Sequence, residues 1–155
     1  MRRQDREVTD PQRIREIIDA CAVCRLGLYD GEEVYIVPLN FGYAQQGGRW
    51  TLYFHGAHEG RKMELLRRKP TVSFEMDAHF ALLPGPNACQ YSARYQCVMG
   101  TGRASVVEDL EQKRVALRAI MAHLAGEGPW ALADAQLQAV CVFQVDVLTL
   151  SCKEH

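Results

Sequence analysis

Between residues 23 and 55 three β-rich runs follow one another with only tight turns between them, which limits the kind of sheet the chain can build. The first, Val23 to Tyr29, ends in Asp30-Gly31, a dipeptide that tolerates the left-handed backbone of a hairpin turn. Its partner, Val34 to Tyr43, is rich in β-branched and aromatic residues. Pro38 within it marks an edge, a bulge or a strand end, because proline has no N–H to give a ladder. Gln45-Gln46-Gly47-Gly48 makes the next turn, and Arg49 to His55 the third strand. Strands joined by short turns pair antiparallel and strict βαβ alternation is absent, which favours an antiparallel barrel over a doubly wound parallel sheet.

Helices punctuate this pattern rather than alternate with it. Asp10-Pro11 opens the first, with Asp10 or Thr9 as N-cap and proline at the tolerated first position. Ile14, Ile17, Ile18 and Cys21 fall at i, i+3, i+4, i+7 and present one apolar stripe. A second helix is predicted over about 59–69, holding Met63, Leu65 and Leu66 and stopped by Pro70. Thr71 to Asp77 reads as a strand, and Ala78 to Gln90, with Pro84-Gly85-Pro86-Asn87, as a loop. Tyr91 to Val107 reads as one long strand, or two broken near Gly100 and Gly102. Asp109 to Ala125 is the strongest helix, with Leu110, Leu117, Ile120, Met121 and Leu124 along one side. Arg114, Arg118 and His123 are explained there as parts of an amphipathic helix docked on the sheet. Gly126-Glu127-Gly128-Pro129 ends it, a short helix covers 131–138, and Val140 to Ser151 forms a last strand. The expectation is one α+β, mainly β domain over 1–155: a six-stranded antiparallel barrel with flanking helices.

Eighteen basic against nineteen acidic residues give a net charge of -1, without the basic excess that phosphate contacts demand of nucleic-acid binders. No run approaches the roughly 18 apolar residues of a membrane-spanning helix. The N-terminal Met1-Arg2-Arg3-Gln4-Asp5-Arg6-Glu7 lacks the apolar stretch of a signal peptide, so its reading is cytoplasmic. Six cysteines are then read as reduced thiols. Cys21-Ala22-Val23-Cys24 is a lone CxxC without a second pair or a following histidine, and Cys21 completes the apolar stripe of the first helix. Core packing is its preferred role over redox chemistry. His55 and His58 lack the further ligands of a zinc site, and the serines lack a GxSxG context.

The chemistry concentrates in Tyr53-Phe54-His55-Gly56-Ala57-His58-Glu59-Gly60-Arg61-Lys62. A strand ends, glycines open the backbone, and a helix begins behind two cations. Backbone N–H groups and a helix N-terminus attract an anion. Arg61 grips phosphate oxygens as a fork, and Lys62 supplies a point charge. The spacing is neither a Walker loop nor a dinucleotide fingerprint. A solvated loop with surface charges is the other reading of the same residues. Upstream, Asn40 carries a donor and an acceptor suited to the edge of a planar ring, with a structural asparagine beside a proline bulge as the alternative.

Together, Met1-Arg2-Arg3, Asp5-Arg6-Glu7, Val37-Pro38-Leu39-Asn40-Phe41-Gly42-Tyr43, Tyr53-Phe54-His55-Gly56-Ala57, Gly60-Arg61-Lys62, Tyr95-Gln96-Cys97-Val98, Gly102-Arg103-Ala104 and Glu111-Gln112-Lys113 resemble the flavin-binding split-barrel family related to pyridoxamine 5′-phosphate oxidase. Within it the chain is most similar to the nitroimidazole-resistance branch. The resemblance implies a homodimeric split barrel with two flavins at the subunit interface. It implies FMN, with FAD as an alternative and haem ranked behind both. Pro38, Leu39 and Asn40 would lie against the flavin ring, His55, Gly56 and Ala57 beside it, and Gly60, Arg61 and Lys62 at its phosphate. Tyr95, Gln96 and Cys97 would add contacts from a neighbouring strand. Cys97 stands where the family commonly has serine, and Ser151-Cys152-Lys153 where it often has Thr-Gly-Lys.

The implied function is reduction of small planar electron acceptors such as nitroimidazoles, with His55 as the catalytic candidate nearest the acceptor. The competing reading is a non-catalytic flavin or haem carrier, with His55, His58, His79 and Cys97 as conceivable axial ligands. A pyridoxamine-phosphate oxidase activity ranks below both, because little chain lies outside the barrel to build a substrate pocket.

Overall fold

The computed structural model of the protein describes residues 3–155, so the Met1-Arg2 part of the N-terminal motif lies outside it. The elements run β1 (Glu7–Val8), α1 (Pro11–Ala20), β2 (Cys24–Tyr29), β3 (Val34–Leu39), β4 (Gly42–Gln46), β5 (Arg49–Gly56), α2 (Arg61–Arg68), β6 (Thr71–Leu83), β7 (Ser92–Val107), α3 (Leu110–Ala125), α4 (Asp134–Ala139) and β8 (Cys141–Glu154). Capping chemistry sets the helix starts. The Asp10 carboxylate accepts from the Gln12 N–H at 3.2 Å, and Asp109 accepts from the Gln112 N–H at 2.9 Å. Among the described residues no helix is long and apolar enough to cross a membrane.

All pairings are antiparallel, in the order β3-β2-β6-β7-β8-β5-β4, with β1 added to β8. The two outer strands, β3 and β4, are consecutive in the chain and separated only by Asn40 and Phe41. Two residues cannot reach between the edges of a flat seven-strand sheet, whose strands lie about 4.8 Å apart. The sheet therefore curls into an open-sided barrel, and Phe41, fully buried, sits at the seam where the end of β3 passes to the start of β4. Pro38 sits on edge strand β3, where a missing N–H is tolerated.

Inside the barrel, alternate residues of each strand meet: Leu26 and Leu28, Leu52 and Phe54, Phe74 and Met76, Phe143 and Val145 are all buried. The Phe54 and Phe143 rings stack at 5.2 Å between directly paired strands. Ile17, Ile18 and Cys21 bring α1 onto this core, and Met63, Leu65 and Leu66 bring α2. α3 packs so closely on β4 that a Cβ at Gly42 would fall 2.4 Å from the Ala119 carbonyl carbon. Gly42→Ala is expected to lower stability by about 1–3 kcal/mol through this overpacking. Urea unfolding reads it, and an unchanged midpoint would mean that α3 does not press on β4.

The sheet corrects three expectations. The six strands are eight, counting the two-residue β1. Val34–Tyr43 is not one strand, because Asn40-Phe41 carries the chain across the seam. Ala78–Gln90 is not all loop: β6 runs on to Leu83 past a bulge where His79 and Phe80 oppose Tyr95 alone. His79 takes a positive φ of 55°, which resets the alternation there. β7 stays continuous through Gly100 and Gly102, with a register shift to β8 between Thr101 and Gly102.

Candidate functional site

β5 turns His55 outward between buried Phe54 and half-buried Gly56, and the chain leaves the barrel through Ala57–Gly60. Gly60 has φ 113°, a conformation that suits glycine, and its carbonyl accepts from the Met63 and Glu64 N–H groups at 2.9 and 3.1 Å. The first turn of α2 therefore starts with Arg61 and Lys62. Two contacts hold the loop. The His58 ring donates from Nε2 to the Gln138 carbonyl at 3.3 Å, and Arg67 donates to the His58 carbonyl at 3.0 Å.

The two cations differ in surroundings. Arg61 bonds Asp30 at 3.2 Å and also Glu33, both from the β2–β3 turn, and lies 4.8 Å over the Tyr35 ring. Asp30 itself is held at a pKa of about 2, first by the Glu33 and Glu32 backbone N–H groups and then by Arg61. Lys62 has no carboxylate or hydrogen-bond partner among the described residues. It is half-buried, 5.6 Å over the Phe143 ring, and burial pulls its pKa down. A Cβ at Gly56 would stand 2.8 Å from the Lys62 ammonium, so the bare glycine leaves it room. The unanswered positive charge of this turn belongs to Lys62. No local signal marks the acidic hairpin turn about thirty residues upstream as the partner of Arg61.

The other candidates fall into two places. Exposed Pro38 and half-buried Leu39 lie on β3, and Asn40 in the link donates to the Ala22 carbonyl at 3.4 Å. Tyr95, Gln96 and Cys97 lie half-buried on β7, where Gln96 donates to Glu154 at 3.2 Å and burial raises the Cys97 thiol pKa. His55 pairs with Val142 on β8 and Cys97 with Lys153. Those rows are separated by about eleven residues of β8, on the order of 35 Å of strand path. One chain thus assembles Gly56, Ala57, Gly60, Arg61 and Lys62, and leaves Tyr95–Cys97 at another part of the sheet. Surface clefts of 610 and 550 Å³ are lined by other residues, Tyr43 and His123 in one, Tyr29 and Lys69 in the other. Cys21 and Cys24 are buried with thiol pKa values pushed up to about 12 by desolvation, which suits packing.

A split antiparallel barrel that carries a glycine-bounded cationic turn defines a class of small barrel proteins. The chain belongs to the pyridoxamine 5′-phosphate oxidase family, whose profile matches residues 10–154. It is similar to a candidate 5-nitroimidazole antibiotic resistance protein from Bacteroides thetaiotaomicron, with 34% identity, TM-score 0.81, and 96% of this chain and 86% of that one covered. Two further structures share the fold. A flavocytochrome from Azotobacter vinelandii has 21% identity and TM-score 0.81, over 100% of this chain and 72% of that one. An FAD and haem binding protein from Mycobacterium smegmatis has 17% identity and TM-score 0.81, over 96% and 73%. No curated protein matches the chain.

Proposed function

We propose that the chain binds FMN at the interface of a homodimer and acts as a flavin-dependent reductase of small planar acceptors, nitroimidazoles among them. The observation that carries this is Lys62: a half-buried ammonium without an anionic partner among the described residues, beside a bare glycine and behind the Gly60 turn. That donor set fits a phosphate, which would answer the charge directly. Arg61 adds a fork that the acidic β2–β3 turn now engages. The separation of Tyr95–Cys97 from the turn supports the dimer, since a partner's β7 can complete a site that one chain leaves open. The 34% identity to a candidate nitroimidazole-resistance protein supports the acceptor class.

When bound, flavin supplies the electron transfer between reductant and acceptor. The chain's own residues then bind, orient and move protons. His55, exposed at the end of β5 and adjoining the turn, is our candidate donor of a proton or a hydrogen bond to the acceptor. His55→Ala is expected to keep flavin bound while cutting turnover by roughly a hundredfold. Unchanged turnover in that variant would remove His55 from the reaction.

The test of the cofactor is the visible spectrum of the purified protein before and after adding FMN, FAD and haem. A two-band flavin spectrum, quenched in fluorescence and bleached by dithionite, supports the reading, and relative affinities choose between FMN and FAD. A Soret band would replace it with the haem carrier. No bound cofactor would remove the phosphate assignment of the turn.

A further inference from the structure

Among the described residues Lys113, on α3, is the only charged one that the fold buries, at 5% exposed. It pairs there with no carboxylate. Its ammonium donates instead to two backbone carbonyls, Leu137 at 3.2 Å and Val140 at 3.1 Å. Burying a cation against neutral carbonyls is costly. Nor does the charge serve its own helix. The Lys113 N–H closes onto the carbonyl of the N-cap Asp109 at 2.9 Å, which puts the residue near the positive end of α3, where a cation is disfavoured. What the ammonium holds is the stretch that leads from α4 into β8.

That stretch grips the cationic turn at two points. Between the carbonyls bound by Lys113 lies Gln138, whose own carbonyl accepts from His58 Nε2 at 3.3 Å. Cys141, the first residue of β8, pairs with Gly56, and Val142 pairs with His55. Arg67 of α2 completes the hold by donating to the His58 carbonyl at 3.0 Å. Burial raises the pKa of the Cys141 thiol, and the charges of Lys113, Arg67 and Lys62 oppose the rise, so all three cations lie near the start of β8. From the Lys113 ammonium to the turn the path is two hydrogen bonds long.

We propose that Lys113 is a positioning residue for the phosphate turn: by fixing residues 137–140 it places the Gln138 carbonyl that orients His58, and so keeps Gly56–Gly60 and Lys62 in the arrangement that receives the flavin phosphate. This rests on the proposed reading of the turn as the phosphate site. A turn held ready spares the ligand the cost of ordering it. The six-residue α4 is too short to hold its own last turn, so without the ammonium the Leu137 and Val140 carbonyls lose their common anchor.

The test is an FMN titration, read by fluorescence quenching, of the wild type, Lys113→Met, His58→Leu and the double variant, at a temperature where all are folded. Each single variant should raise the FMN Kd about tenfold. The double variant should stay within about twofold of the weaker-binding single, because both changes break one path. A Lys113 charge acting on the phosphate directly would add its effect to that of His58, so losses that multiply in the double variant overturn the proposal. An unchanged Kd in Lys113→Met beside a lowered melting temperature also overturns it, since that is the mark of a purely structural lysine. If Lys113→Met does not fold, Lys113→Gln takes its place, with a donor too short to span both carbonyls. His58→Leu changes an exposed side chain, and an unchanged Kd there is enough to overturn the path. If the wild type binds no FMN, the proposed function fails separately, and amide hydrogen exchange reads the linkage alone. Faster exchange over residues 56–60 in Lys113→Met, with β2 and β3 unchanged, supports it. Exchange that quickens throughout the chain, or not at all in the turn, overturns it.

Discussion

Phe54→Ala is expected to destabilise the protein by about 3–5 kcal/mol, the usual cost of emptying a large aromatic site in a packed core. Phe54 is fully buried on β5, directly opposite Phe143 of β8, and their rings lie 16° from parallel. The wall cannot easily collapse into the space, because β5 is hydrogen-bonded to β8 on one side and β4 on the other. For a chain of this size the melting temperature should drop by roughly 10 °C. Phe80→Ala is the control: that ring is 71% exposed, and its loss should change stability by less than about 0.5 kcal/mol. A Phe54 effect as small as the control's would mean that the stacked pair is not the centre of the packing.

Lys62→Met should weaken FMN binding by roughly tenfold to a hundredfold, the range of a hydrogen bond to a charged group. Fluorescence quenching of a flavin titration measures it directly. The apo protein should lose no stability, because the substitution removes a half-buried charge that has no counter-ion among the described residues. The pH dependence follows in sign. Burial lowers the ammonium's pKa, and a bound phosphate favours the charged form, so affinity should fall as pH rises through that lowered pKa. Arg61→Gln should have the smaller effect, since its guanidinium already engages Asp30 and Glu33. An unchanged Kd in Lys62→Met with a large rise in Arg61→Gln would reverse the roles of the two cations.

What could be read in the sequence was what short stretches decide by themselves. Asp10-Pro11, Asp109 and Gly126 mark helix ends through local hydrogen bonds and backbone freedom, and the structure uses all three. The glycine-bounded turn before Arg61 is contiguous, so its geometry was legible as well. Features decided by distant pairing were not. β1 is two residues long and exists because Glu7 and Val8 meet Lys153 and Cys152. The outer half of β6 lies next to Pro84-Gly85-Pro86 and loses its period at His79, so its composition reads as loop. Asn40-Phe41 looks like strand interior, and only the curl of the sheet makes it the link between the two outer strands. The engagement of Arg61 by Asp30 likewise depends on residues far apart in the chain.

The strand order has a consequence for how the molecule comes to exist. β3-β2-β6-β7 and β5-β4 are separate ribbons until β8 enters between β7 and β5. All the strands of both ribbons precede β8 in the chain, so a ribosome delivers two unfinished sheets first, each with a bare edge. Those edges invite pairing with neighbouring chains. Maturation is thus a race between insertion of residues 141–154 and association of the wrong strands, and it should be won more slowly than in proteins whose contacts are local.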